Sequence, residues 1–230
     1  AGHALVAWMW LRQARVSNVD AFIAYQKGLK LYDEAHSDAQ PDLLAGLRAA
    51  NAEFERATTL EPSFSEAHFA KADLYEHSLQ EDKLGQAEHL QAQQAALRTL
   101  ELAANNSKDE QERLITQAER QMLSDDWHGL AALIQQAFTA PGCNSSNWLP
   151  VFAGAFGYGD AIEDFERRAS RCDPLNRINY STRMTSALAN GKGQRALDVQ
   201  AQMRKSIGQA GSASGPSASI TPDTSKPIGH

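Results

Sequence analysis

The sequence predicts an all-α protein, a right-handed α-solenoid of about five antiparallel helix hairpins. Ala, Gln, Glu, Leu and Arg recur throughout and only 7% of the residues are aromatic, a composition that favours helix over strand. Small residues and aromatics surround Pro62 in residues 50–75, and residues 161–197 repeat this arrangement around Pro174. A recurring helix–proline–helix pattern is typical of stacked repeats.

The first half of the repeat region predicts four helices, each bounded by capping or breaking residues. Asn18 is a suitable N-cap for the first helix, on which apolar side chains recur at steps of three and four. Pro41 suits the start of the second helix, and Glu61 with Pro62 ends it. An Asn-Asn-Ser break closes the fourth helix. The predicted ranges are 18–35, 42–60, 65–79 and 84–104.

The second half predicts six further helices. Ser107 with Glu110 forms a capping-box pattern at the start of the fifth. A Pro-Gly pair at 141–142 ends the sixth, Pro174 separates the eighth from the ninth, and an Asn-Gly turn at 190–191 leads into the tenth. The predicted ranges are 109–123, 125–140, 147–156, 160–171, 176–189 and 194–207, which completes five antiparallel pairs.

Two terminal segments flank this repeat domain, which spans residues 17–207. Residues 1–16 contain an apolar, Trp-rich run at 4–11 that is shorter than the ~18 residues a membrane-spanning helix needs. The run is either the outer end of a membrane helix, followed by Arg12 and Arg15, or a short helix that packs on the first repeat. Residues 208–230 are rich in Gly, Ser and Pro, which predicts a disordered tail.

The net charge of −6 argues against a nucleic-acid partner, because phosphate binding needs a concentrated basic face. The densest basic cluster is Arg167, Arg168 and Arg171, which stand beside Glu163, Asp164 and Glu166. Mixed charges on one helix are typical of a solvated surface. An Arg site for an acidic partner is the alternative.

The spacing of small and large residues resembles the tetratricopeptide repeat (TPR), a helix hairpin of 34 residues. The resemblance covers about residues 18–207, with an insertion at 33–41. It implies a curved array whose concave face, lined by the first helix of each pair, binds a peptide or a partner helix. The residues that carry it are Ala50, Phe54, Ala57, Pro62, Ala72 and Tyr75, then Ala118 and Ala137, then Ala169, Pro174, Tyr180 and Ala196.

A narrower resemblance rests on three segments: NVDAFIAYQKG at 18–28, the F-x-x-A-x-x-L-x-P joint at 54–62, and the spacing from PGC at 141 to DPLN at 173. They look like the carboxy-terminal repeat regions of membrane-anchored bacterial winged-helix regulators and of some nucleotide cyclases. There the repeats follow a cytoplasmic effector and a single membrane helix, and lie outside the membrane. The resemblance implies a periplasmic or other extracytoplasmic module, with a cytoplasmic location as the alternative. Only the type of module carries over, because an effector domain is lacking here.

The two cysteines predict a disulfide. Cys143 precedes the seventh helix and Cys172 closes the eighth. These two points lie side by side in a helix hairpin, so a bond between them fits the geometry and implies an oxidising compartment. The alternative is two unrelated thiols in a reducing compartment. A zinc site built on the cysteines is disfavoured, since no His pair stands near them.

Residues that could carry chemistry are few. Asp73 and His77 stand four apart on one helical face with Glu76 beside them, a spacing that could hold a metal but is more typical of a surface hydrogen bond or ion pair. We predict no metal, no cofactor and no catalytic residue, because no nucleophile elbow, zinc-binding helix or phosphate loop occurs. Trp127 and Trp148 are expected to pack between hairpins.

The function predicted from these features is a non-catalytic scaffold or subunit that binds a protein or peptide in its groove. The candidate groove residues are Tyr25, Lys71, Gln117 and Arg183. The alternative is an extracytoplasmic sensory or ligand-binding domain of a membrane-anchored regulator. A helical hydrolase or metalloenzyme would need a convergent polar cluster that the sequence does not reveal.

Overall fold

A computed structural model describes residues 17–37, 41–81, 84–124, 126–144, 148–155, 157–172 and 177–207. These ranges hold ten helices and no strand, which confirms the all-α prediction. The terminal segments predicted at 1–16 and 208–230 lie outside them. The helices are α1 Val19–Ala35, α2 Leu43–Leu60, α3 Ser65–Ser78, α4 Gln86–Asn106, α5 Glu110–Leu123, α6 Leu130–Thr139, α7 Trp148–Ala155, α8 Gly159–Cys172, α9 Arg177–Ala189 and α10 Gly193–Ile207.

The predicted helix ends agree with the structure to within about two residues except at α6. This helix begins at Leu130, whereas the paired Asp residues predicted a start near 125. Asp126 instead accepts a hydrogen bond from the backbone N–H of His128 at 3.1 Å, which closes a turn. Gly129 then takes a left-handed φ of 73°, a conformation that glycine adopts at little cost.

The N-terminal caps explain where two other helices begin. Asn18 caps α1 as predicted, since its Oδ1 accepts the N–H groups of Asp20 and Ala21 at 3.0 and 3.2 Å. The capping box predicted from Ser107 is wrong. Asp109 caps α5 by accepting the N–H of Glu112 at 3.0 Å, because the helix begins only at the following residue.

Two apolar clusters form the core. The first joins α1, α2 and the start of α3 around Phe54, and the second joins α5 to α8 around Ile115 and Phe165. Small residues that carry the repeat spacing are buried, which lets neighbouring helices approach closely. These buried positions are Ala50, Ala57, Ala72, Ala118, Ala137, Ala169 and Ala196.

The order in which the helices pack is repeat-like. From α1 to α6, and again from α7 to α10, each helix contacts the next one along the chain. Alternate helices also touch in the second half, where α5 contacts α7, α7 contacts α9 and α6 contacts α8. Within the described ranges, no helix is long and apolar enough to cross a membrane.

The disulfide predicted from the hairpin geometry is present. Cys143, just before α7, is bonded to Cys172 at the end of α8, and their Cα atoms are 5.8 Å apart. The bond therefore closes the α7–α8 hairpin at its open end.

Candidate functional site

Three potential metal ligands meet where the end of α1 reaches the middle of α3. His36 follows the last residue of α1, and Asp73 and His77 stand one turn apart on α3. We call these three residues the His-Asp-His cluster. Its ligand atoms lie within 4.8 Å of one another. The two imidazole Nε2 atoms are 3.3 Å apart, and they lie 3.4 and 3.6 Å from Asp73 Oδ2.

The backbone of α1 fixes the imidazole of His36. Its Nδ1 lies 2.9 Å from the carbonyl oxygen of Tyr32, and the two rings pack with centroids 4.3 Å apart. A carbonyl only accepts, so Nδ1 donates and the neutral ring keeps a lone pair on Nε2. Burial lowers the pKa of His36, but the neighbouring Asp73 carboxylate and the hydrogen bond to the Tyr32 carbonyl outweigh burial and raise this pKa above its ordinary value.

Asp73 is buried, whereas the sequence predicted a surface pair. Its Oδ1 accepts a hydrogen bond from Trp148 Nε1 at 2.8 Å. Its Oδ2 is buried and accepts none from any residue that the structure describes. Burial lowers the pKa of His77, although the neighbouring Asp73 acts in the opposite direction. The three side chains thus bring two imidazole nitrogens to one buried carboxylate oxygen.

Trp148 connects the cluster to the second half of the chain. Its ring meets that of His77 edge-on at 5.0 Å and stacks with Phe152 at 5.8 Å. Trp148 thus packs against α3 as well as within α7, as a residue between helices is expected to do. The same expectation for Trp127 is wrong, since 53% of that side chain is exposed on the loop before α6.

Two further carboxyl groups lie beneath the cluster. Burial raises the pKa of Glu76 well above its ordinary value, and the nearby carboxylates of Glu119 and Asp73 raise it further. Glu119 Oε1 accepts the backbone N–H of Leu149 at 3.1 Å. The side chains of Asp73, Glu76 and Glu119 therefore form a buried acidic group beside Trp148.

Sequence reasoning identifies two members of the cluster and misses the third. The spacing of Asp73 and His77 is visible on one helix, but His36 lies on another helix, well before them in the chain. The convergent polar cluster that an enzyme or ligand site requires is present in the fold. The resemblance to stacked repeats offers one signal, because it predicts that the first helices of successive hairpins are neighbours.

The predicted groove residues lie apart from the cluster, and most are buried. Tyr25 packs against Phe54 and Phe64 in the first apolar cluster, with centroids 5.8 and 4.8 Å away. Lys71 is buried and paired with Glu55. Gln117 is half-buried. Their role in partner binding stays a prediction.

Arg183, the fourth of these residues, belongs to a second polar network. It is buried, lies 3.9 Å from Glu163 and donates to Gln202 Oε1 at 3.2 Å. Arg195 donates to the same Glu163 carboxylate through Nε at 2.6 Å. Glu166 beside them is fully buried, and burial raises its pKa well above the ordinary value, against the effect of Arg183.

The mixed-charge segment 163–171 is therefore only partly solvated. Arg167 is exposed and pairs with Asp164 at 2.6 Å, as a solvated face predicts. Arg168 instead donates to the carbonyl oxygens of Ala140, at 3.2 Å, and of Phe138. Cations are favourable at the end of a helix, because the last carbonyl groups lack partners within it.

Two surface depressions of the described residues are small for a ligand site. One, beside Phe64 and Glu112, has a volume of about 10 Å³, which is room for one water molecule. Another, between α5 and the end of α6, is open and measures about 260 Å³, below the size of a typical small-molecule pocket. Comparison with protein-family models, with curated proteins and with solved structures finds no match.

Proposed function

We propose that this chain is an extracytoplasmic, non-catalytic interaction scaffold, built as a divergent right-handed solenoid of five TPR-like hairpins. The observation that carries the proposal is the contact of alternate helices, α5 with α7, α7 with α9 and α6 with α8. Two layers of helices, one of odd and one of even members, account for this pattern. The odd layer is the side that a partner would face.

The disulfide supports the extracytoplasmic location in this proposal. Disulfides persist in oxidising compartments and are rare where thiols are kept reduced. The Cys143–Cys172 bond closes the α7–α8 hairpin, so the α-solenoid would keep this clip in the periplasm or an equivalent compartment. A membrane anchor upstream of the repeats is part of the same proposal.

Surface features favour a protein or peptide partner over a small molecule. The two depressions described above are too small to enclose a ligand. Apolar side chains are exposed on α1, where Val19 and Ile23 stand one turn apart at 57% and 47% exposure. Exposed apolar residues at helical spacing are suited to contact with a partner helix.

Photo-crosslinking in the native compartment tests this proposal. A photoreactive residue replaces Gln117 on α5, or the exposed Gln135 on α6 as the matched control. Position 117 should give a discrete crosslinked protein that excess unlabelled chain competes away, and position 135 should give none. Equal crosslinking at both positions, or none at either, would contradict a partner-facing odd layer.

A sensory domain is the second candidate, favoured by the polar cluster at the junction of α1, α3 and α7. The two functions differ in what the purified chain binds by itself. A scaffold should bind a protein partner irrespective of small solutes, whereas a sensor should change its partner affinity when its ligand is added.

A further inference from the structure

We propose that the His-Asp-His cluster is a binding site for a divalent transition-metal ion of the zinc type, with three protein ligands and an open fourth position. His36 Nε2, His77 Nε2 and Asp73 Oδ2 are the ligand atoms. Imidazole nitrogens and a carboxylate oxygen form the ligand set that zinc accepts in three-ligand sites. This site is independent of the scaffold proposal.

The three ligand atoms form a triangle whose size suits a tetrahedral metal ion. Its edges are 3.3, 3.4 and 3.6 Å. A tetrahedral ion with bonds of about 2.0–2.1 Å separates its ligands by roughly 3.3–3.4 Å. A zinc ion therefore fits above this triangle with shifts of a few tenths of an ångström. Its fourth position points away from the three ligand atoms.

Two of the three ligands, His36 and Asp73, are already oriented by hydrogen bonds on their far sides. Donation of Nδ1–H by His36 to the carbonyl of Tyr32 leaves its Nε2 lone pair free for a metal. The hydrogen bond from Trp148 holds Asp73 by Oδ1 and leaves Oδ2 for the cluster. Metal ligands in proteins are commonly fixed by such outer hydrogen bonds.

Hydrogen bonds do not satisfy the carboxylate oxygen of the cluster. The two distances from the imidazole nitrogens to Asp73 Oδ2, 3.4 and 3.6 Å, exceed the 2.7–3.2 Å typical of protein N–H···O bonds. Among the described residues, Asp73 Oδ2 has no hydrogen-bond donor although it is buried, and an unsatisfied buried acceptor is costly. One cation would satisfy this oxygen and both imidazole nitrogens together.

The site is also reachable from solvent. The side chains of His36 and His77 are 26% and 22% exposed, while that of Asp73 is 7% exposed. An ion can enter from the histidine side, and a water molecule or a partner side chain can take the fourth position there.

The direct test is zinc binding by the tag-free, oxidised chain. Equilibrium dialysis should give one Zn²⁺ per chain, and His36→Ala, His77→Ala or Asp73→Asn should each weaken binding by at least about 100-fold. His89→Ala and His128→Ala change exposed histidines outside the cluster and should bind as the wild type does. Absence of stoichiometric binding, or equal losses in the control variants, overturns the proposal.

A second measurement needs only the wild-type chain, so failure of a variant to fold cannot obscure the result. Zinc should protect His36 and His77 from modification by diethylpyrocarbonate and leave His89 and His128 reactive. Cobalt in place of zinc should give the intense visible absorption of a four-coordinate site. Uniform reactivity with and without zinc, or a six-coordinate cobalt spectrum, contradicts the assignment.

Trp148 acts as a positioning residue. Trp148→Phe keeps an aromatic ring against His77 but removes the hydrogen bond to Asp73 Oδ1. Loss of an outer hydrogen bond of this kind should weaken zinc binding by about 10-fold or more. Affinity equal to that of the wild type would show that this hydrogen bond does not orient the carboxylate.

Discussion

Glu112 makes the stability of this protein depend on pH in a way that one substitution can isolate. It lies in the first turn of α5 and is 8% exposed. Burial raises the pKa of Glu112 to about 7, and the nearby carboxylate of Glu66 adds to the rise. Ser107 Oγ donates to Oε2 at 2.9 Å, but Oε1 has no partner within the described residues. The folded protein therefore favours the protonated acid.

Proton linkage gives the sign and the size of the change in the free energy of unfolding with pH. The ordinary pKa of this carboxyl is 4.5, and that of the folded state is about 7. The folded state binds the proton more tightly, so stability is highest below the unfolded pKa and falls as pH rises towards the folded one. Between pH 5 and pH 8 these two pKa values give a loss of about 2.5 kcal/mol.

Urea unfolding of the wild type and of Glu112→Gln across this pH range measures that loss. Gln keeps the shape and the oxygen that accepts from Ser107 but cannot ionise. The variant should therefore gain about 2.5 kcal/mol over the wild type as the pH rises from 5 to 8. The contributions of other titrating groups are the same in both proteins, so they cancel when the two free energies of unfolding are subtracted.

The control for this experiment lies two residues away on the same helix. The side chain of Glu110 is 72% exposed and forms a surface ion pair with Arg113 at 4.0 Å. Because surface ion pairs contribute little, Glu110→Gln should shift the free energy of unfolding by less than about 1 kcal/mol at either pH. If the stability curves of Glu112→Gln and the wild type run parallel over this range, the carboxyl of Glu112 is not protonated on folding and the burial argument fails.

Two other substitutions test the packing of the fold. Replacing Cys143 and Cys172 together by Ser should lower the free energy of unfolding by about 3.6 kcal/mol, because their separation of 29 residues sets the loop that the bond closes in the unfolded chain. Equal urea midpoints for the oxidised wild type and the double variant would contradict that origin. Gly28→Ala should cost about 1–3 kcal/mol in thermal unfolding, since a Cβ there overlaps the buried ring of Phe54. Gly193→Ala meets nothing within 4 Å and should be neutral, and an unaffected Gly28→Ala would show that the core repacks.

Most helix boundaries could be predicted from the sequence, because local residues determine where these helices begin and end. Proline, glycine and side-chain caps act within a few residues, so the starts of α1 and α2 could be read directly. The start of α6 could not be predicted in this way, because an Asp-Asp pair suits both a helix cap and a turn. The left-handed Gly129 and the hydrogen bond accepted by Asp126 form a turn there.

The candidate site could be predicted only in part, because its residues come together only through tertiary structure. Asp73 and His77 share a helical face, but His36 reaches them from the end of α1. Groove residues were chosen from the repeat spacing, and one residue of register turns a helical side chain by about 100°. An error of that size is enough to place Tyr25 and Arg183 among buried residues.

The polar cluster lies at the seam between the two apolar clusters, and this position gives the metal proposal a structural consequence. Phe64 at the start of α3 belongs to the first cluster, and Phe69 packs against the second. Beyond them α3 presents Asp73 and His77 to Trp148 of α7. The hydrogen bond from Trp148 to Asp73 is a polar link between the two halves, beside the packing of α4 against both α3 and α5. An ion bound at the cluster would link α1 to α3 directly and α7 through Asp73, and would thereby join three of the odd-numbered helices that the scaffold proposal turns towards a partner.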